Sequence, residues 1–567
     1  MDSNKVLFSS DIFMAITLTT FFFFTGLVAF LTWRVVRGSS LNTDTDYFLA
    51  GRSLTGIFIA GSLLLTNLST EQLIGLNAGA FEQGLSVMAW EVLAGCSLVI
   101  LALFFLPRYL KSGIATIPQF LDYRYGPAVR TTTAFIFIIA YSLILLPFVL
   151  YTGATGLIGM LQLQNYFPAG FSDLAIIWTV ILFIAVVGGG YAIFGGLRAV
   201  AVSDTFNGAG LLIGGFLITF FSLQAILPVE GGLSAAFANI KQQNPDAFQS
   251  LGKMDEDVSW PTLFTGVLLL NFFYWCTNQQ IIQRTFAAKN LAEGQKGVLL
   301  AALFKILAPI ALILPGIIAA YLVTQDPDFS SKVGGQASNS YGALVSHVLP
   351  GWLIGFFAAV VVGSILSTFN SVLNSSATLF SMDVYKRFLA PQASMKQVVL
   401  SGQLCSFLVG LFAVLAAPVF FHGQSGVFGF FQKLNGVYFI PLLAIVLVGM
   451  FNRWVNGASA LITLAAGLLA MLIGTFFSGQ VKDASGEVIQ TGWLIELFHS
   501  GYHYMGAVFV GLVLLQLGLG RAGFRRAEPY RQQNVEAVDL TPWKPASLIG
   551  CGLILSVIAI YLYFALP

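Results

Sequence analysis

Of 567 residues, 57% are apolar and only 9% charged, and a mean hydropathy of +0.83 excludes the soluble globular classes in favour of a polytopic membrane protein. The formal net charge of +2 says nothing about partners, because in such a chain the placement of positive charge matters rather than its sum. Cys96, Cys276, Cys405 and Cys551 all fall in apolar runs, with neither metal-ligand spacing nor a disulfide framework.

A membrane-crossing helix needs roughly 20 apolar residues. On that measure the sequence predicts fourteen spans, at residues 10–33, 53–81, 84–107, 130–162, 171–190, 194–226, 260–282, 297–323, 350–382, 397–420, 428–450, 454–477, 500–520 and 546–566. The first is too long for a signal h-region and lacks a small-residue cleavage site, so it reads as a retained span. Only Tyr191, Ala192 and Ile193 part the fifth from the sixth. Two loops, 227–259 and 324–349, are polar, and the first carries Asp255, Glu256 and Asp257. They read as extramembrane caps or a gate cover.

The distribution of basic residues tests this layout, since Lys and Arg collect in alternate, cytoplasmic loops. Twenty of the 27 fall in one set of loops, from Arg34 to Lys544; Lys5, Lys241, Lys253, Lys332 and Lys482 fall in the other, and Lys305 and Lys433 lie within spans. Both termini are therefore expected outside, in a multi-pass plasma membrane protein, with a bacterial inner membrane as the expected location. The segment GGGYAIFGG lacks the Lys and Ser/Thr of a phosphate loop and reads as close helix packing. No nucleotide fingerprint follows a strand and no soluble stretch is long enough for an attached enzyme, so neither enzymatic activity nor a nucleic-acid partner is expected.

Ionisable residues inside spans are costly and mark function by default. Glu71, Glu91, Asp204, Lys305 and Lys433 stand out. Three runs concentrate polar groups. Ser62–Gly75, SLLLTNLSTEQLIG, places Asn67, Ser69, Thr70, Glu71 and Gln72 in mid-span, where an interrupted helix would free carbonyls to coordinate a cation. Asn271–Gln283, NFFYWCTNQQIIQ, sets aromatics beside amides, the combination that a pyranose asks of a pocket, or else an aromatic packing stripe. Gly363–Ser376, GSILSTFNSVLNSS, supplies hydroxyls suited to a hard cation such as Na+, or to ordinary helix packing.

DYFLAGRSL, NLSTEQLIGL, IPQFLDYRYG, FGGLRAVAVSD, YWCTNQQIIQRTFAAK and NSVLNSSATLFSMDVYK, in this order, make the chain resemble the sodium/solute symporter family, and within it the bacterial sodium/galactose and sodium/glucose cotransporter branch. The resemblance implies an all-α membrane protein of fourteen helices around a five-plus-five inverted-repeat, LeuT-like core whose first helices are broken. Residues 1–52 would be an extra span and inward loop, 53–226 the first repeat, 227–259 an outward loop, 260–450 the second repeat and 451–567 three further spans.

The family's sugar site carries over to Gln72, Glu91, Asn271, Lys305 and Gln432, with Tyr274 stacking on the sugar as inner gate and Trp275 beside it. Leu76, Trp90 and Phe428 match the outer hydrophobic gate, and Asn67 an amide that braces the broken helix. Trp90 stands where relatives have Tyr, and Ala94 where they have a serine contact. The sodium site carries over to the carbonyls of Leu65, Leu68 and Ser364 and the hydroxyls of Ser367 and Thr368. A second sodium near Asp204 and Ser371 stays open, and Asn370 departs from the hydroxyl of two-sodium relatives, so one sodium is expected. The implied activity is sodium-coupled symport of a galactose- or glucose-type hexose by alternating access, with Na+ as co-transported ion. The alternatives are mannose, inositol, sialic acid or a transporter-like sensor.

Overall fold

The computed structural model describes residues 10–37, 48–168, 170–228, 230–254, 256, 258–423, 427–477, 481–482, 488–490, 497–498 and 500–565. Asp255, Asp257 and Lys5 lie outside the described residues. Within them ten helices are long and apolar enough to cross a membrane, or eleven when the pair Leu291–Leu307 and Pro309–Gln325, bent by 44°, counts as one span. The fold is helical apart from two short strands, Val481–Lys482 and Val488–Gln490, paired antiparallel.

The difference from fourteen has three physical sources. The expected span 53–81 is two helices, Gly56–Asn67 and Thr70–Gln83, and the second runs on through a short turn into the next span, giving one stretch from Thr70 to Lys111. The expected span 260–282 is likewise split, into Gly266–Cys276 and Gln279–Phe286, each too short to cross alone. Of the expected pair 171–190 and 194–226, the second is the span Leu197–Ala225, while the first, Asp173–Gly188, is an apolar helix too short to count alone.

Both breaks arise from residues that compete with a helix for their own backbone. In the first, Leu68 N still donates to Leu64 O at 2.6 Å, but Ser69 N turns to Asn67 O at 2.8 Å and Ser69 is extended (φ −96°, ψ −177°). Gln72 N and Leu73 N then both donate to Ser69 O and start the second half. In the second, Thr277 N and Asn278 N both end on Phe273 O, and extended Asn278 opens the next half by accepting from Ile281 N and Ile282 N. The bend at Ala308 has a different cause: Pro309 has no N–H to give the carbonyl of Lys305, four residues back.

The hydroxyl-rich helix Gly351–Thr378 packs against Asp173–Ala225, Ser10–Val36 and Leu146–Leu161, and the first broken helix packs against Asp173–Ala225 and Leu291–Leu307. The last contact needs Gly297, where a Cβ would sit 2.7 Å from Gly56 O. At the other end of the broken helix, Gly84 turns the chain with φ +70°, and a Cβ there would meet Ala247 O at 2.7 Å.

Arg124, assigned by sequence to the inward loop charge, is fully buried instead. Its guanidinium donates to Gly449 O at 2.8 Å, Val455 O at 2.9 Å and Asn452 O at 2.5 Å, tying the loop helix Ile117–Tyr125 to the end of helix Val427–Phe451. Burial holds it below the ordinary arginine value, while three carbonyl acceptors favour the charged form. Arg130 is also buried, between Asp122 at 3.1 Å and Asp383 at 2.5 Å.

Candidate functional site

The expected sodium residues meet where the first break faces the hydroxyl helix. Ser364 Oγ donates to Leu68 O at 2.8 Å and Thr368 Oγ1 to Thr66 O at 3.1 Å, so each hydroxyl reaches a carbonyl of the interrupted backbone. Leu65 is fully buried one turn back, and the amide of Ser69, which a continuous helix would give to Leu65 O, goes to Asn67 O. A hard cation takes oxygen ligands of these kinds. Ser367 Oγ turns the other way and donates to Asp204 Oδ1.

Asp204, fully buried, also accepts from Ser62 Oγ at 2.7 Å. Ser371 accepts from the guanidinium of Arg284, which donates as well to Gln280 O and, from Nε, to Ser62 Oγ at 3.1 Å. Arg284 thus joins both broken helices to the hydroxyl helix. The sequence reading placed it among inward-loop charges, yet it is fully buried. The signal was its spacing, four residues after Gln280 on a helix that begins inside a polar run.

Of the expected solute residues, three come together. Lys305 Nζ lies 2.7 Å from Glu91 Oε2, both side chains at most 1% exposed, and 5.4 Å from the Trp275 ring centroid. Tyr274 OH accepts from Gln280 Nε2 at 3.2 Å and sits beside Asn67 and within electrostatic reach of Glu71. Gln72 is buried with Oε1 lacking a partner among the described residues, as is Asn67 Oδ1. Asn271 turns its amide back to Val267 O at 3.1 Å, and half-buried Gln432 accepts from Asn435 at 3.1 Å, so neither contacts the Glu91–Lys305 pair through these bonds. At the second break Tyr141, unanticipated from sequence, donates to Asn278 Oδ1 at 2.5 Å and accepts from Gln280 N at 3.0 Å. It lies in a π-helical turn, Tyr141–Leu145, a distortion frequent at functional sites.

Above these groups opens a cleft of about 890 Å³ whose lining includes Ile74, Gly75, Trp90, Phe428, Lys332 and His422. Trp90 meets Phe428 edge-on at 5.8 Å and Tyr502 at 5.7 Å. Two of the three expected outer-gate residues therefore meet in the cleft lining, whereas Leu76 is fully buried beside it. Tyr502, the third aromatic, comes from helix Gly501–Arg521, far along the chain and outside the expected repeats.

The profile of the sodium:solute symporter family matches residues 47–467. A protein of Escherichia coli K12 named as the uncharacterised symporter YidK is 38% identical over 96% of this chain and 90% of its own length. The sodium/glucose cotransporter of Vibrio parahaemolyticus is 32% identical over 76% of this chain and 79% of its own, and the rat sodium/myo-inositol cotransporter 2 is 30% identical over 81% and 69%. Among solved structures, a Na+-coupled sialic acid symporter in a substrate-bound, outward-open state superposes with a TM-score of 0.73, covering 91% of this chain and 99% of that one at 18% identity, and so shares the fold. With broken helices, a hydroxyl-lined junction and a match of this extent, the chain belongs to the sodium:solute symporter family, whose members are transporters rather than enzymes.

Proposed function

We propose that the chain carries a neutral polyhydroxy solute of the hexose class together with one sodium ion, across the plasma membrane and with both termini outside. The observation that carries this reading is the buried Glu91–Lys305 pair beside the Trp275 ring, with Glu91 next in sequence to Trp90, which meets Phe428, and with Gln72 buried on the broken helix. It offers charged acceptors, charged donors, an amide and an aromatic face in one buried place, which suits hydroxyls and the C–H face of a ring. A carboxylate-bearing solute needs a cation to spare, and Lys305 is already bound by Glu91. A cyclitol is the second reading, favoured by the likeness to the rat sodium/myo-inositol cotransporter.

In this mechanism sodium enters at Leu65, Leu68, Ser364, Ser367 and Thr368 and replaces the hydrogen bonds that the Ser364 and Thr368 hydroxyls donate to the carbonyls of Leu68 and Thr66, drawing the break and the hydroxyl helix together. Gln72 lies four residues after Leu68, so fixing the break fixes the solute pocket. By linkage each ligand raises the other's affinity by the same factor. The membrane potential adds about 2.3 kcal/mol per charge per 100 mV to inward movement. Trp90 and Phe428 close the outer side, and Tyr274, released from Gln280, opens the inner.

The test is uptake of radiolabelled galactose, glucose, mannose and myo-inositol into proteoliposomes under inward sodium or potassium gradients, for the wild type, Gln72→Ala and Ser367→Ala. One solute should accumulate with sodium alone, and both substitutions should abolish it. Binding without sodium-dependent accumulation would favour a sensor instead.

A further inference from the structure

Glu71 has no place in the carried-over sugar or sodium sites, yet it is 1% exposed and its Oε2 has no hydrogen-bond partner among the described residues. It stands in the first turn of Thr70–Gln83, adjacent to Gln72. The helix N-terminus offsets only part of a carboxylate's charge there. The groups that act on it come from four other elements: Glu91, Lys305, Tyr274 and Tyr438. Lys305 is the one cation of this set, and it is held by Glu91 at 2.7 Å.

One ammonium therefore lies within electrostatic reach of two buried carboxylates, and the second has an oxygen without a hydrogen-bond partner among the described residues. We propose that Glu71 is a specificity-determining solute contact, a free acceptor that selects hydroxyl- or amine-bearing solutes and repels carboxylate-bearing ones. The inference rests on the polyhydroxy-solute reading above. An unmatched acceptor buried in a site penalises any ligand that cannot donate to it, and a like charge is penalised further.

The experiment is competition against uptake of the transported sugar by its 2-amino-2-deoxy and uronic acid analogues, at a pH where the amine is protonated, in the wild type, Glu71→Gln and Glu71→Asp. The amino sugar should compete at least about tenfold better than the uronate in the wild type, the ratio should collapse in Glu71→Gln, and Glu71→Asp should retain it. A wild type inhibited as well by the uronate as by the neutral sugar overturns the proposal without any variant. An unchanged ratio in Glu71→Gln also overturns it, and if that variant instead needs more sodium, the carboxylate serves the ion. Absence of any neutral-sugar uptake by the wild type refutes the parent reading rather than the role of Glu71 alone.

Discussion

Replacing Lys305 by Met tests whether the buried pair is an interaction or a coincidence of packing. The lysine is fully buried and Glu91 is 1% exposed, 2.7 Å apart, so the single substitution strands a buried carboxylate without its partner. Removing one member of a buried pair costs about 3–5 kcal/mol, whereas replacing both by apolar residues is often neutral. With an unfolding entropy of about 2.1 cal/mol/K per residue, a chain of 567 residues converts that loss into a melting shift of roughly 2.5–4 °C. Lys305→Met and Glu91→Leu should each lower the melting temperature in detergent, and the double variant should recover most of it while still failing to take up solute. Singles within about 1 °C of wild type, or a double variant no more stable than either, would refute the reasoning.

Thr368→Ala removes the hydroxyl that reaches Thr66 O at 3.1 Å, one of the two expected sodium-ligand hydroxyls. The sodium concentration for half-maximal uptake should rise about tenfold or more, with the solute affinity at saturating sodium little changed; a parallel loss of both would mean that the break itself has collapsed. Tyr141→Phe takes away the single hydroxyl that satisfies Asn278 Oδ1 and Gln280 N at the second break. Two buried groups lose a partner at about 1–3 kcal/mol each, so a thermal melt should show destabilisation of several degrees, with a lower turnover. Melting like the wild type would show that the second break does not depend on this bond.

Much of the site was legible because it consists of polar residues in the wrong solvent. Asn67 to Gln72 and Thr277 to Gln283 interrupt apolar runs, and the helices break at both. The number of continuous spans was less legible, since an apolar count treats a broken helix as a whole one and counts the shorter helix Asp173–Gly188 as a full span. The burial of Arg124 and Arg284 was not legible for a related reason. Position between spans assigns an arginine to water, but burial depends on whether distant carbonyls and hydroxyls converge on it, as those of Gly449, Asn452 and Val455 do on Arg124. Tyr502 is the same case at the gate, for its partner Trp90 lies hundreds of residues away.

These distant contacts close a circuit that bears on how ion and solute are coupled. The proposed sodium ligands hold the carbonyls of Thr66 and Leu68, and Asn67 between them sits beside Tyr274. Tyr274 bonds to Gln280, the carbonyl of Gln280 accepts from Arg284, and Arg284 returns to Ser371 on the hydroxyl helix. In the proposed mechanism, a cation pulling the hydroxyl helix onto the first break is linked to Tyr274, the proposed inner gate, through only a few hydrogen bonds. Allosteric coupling is typically about 1–3 kcal/mol, the net worth of one to three such bonds. No long-range wire is required in the proposed mechanism: a change in the geometry of Asn67 and Gln280 suffices, because Arg284 bonds to both broken helices and to the hydroxyl helix.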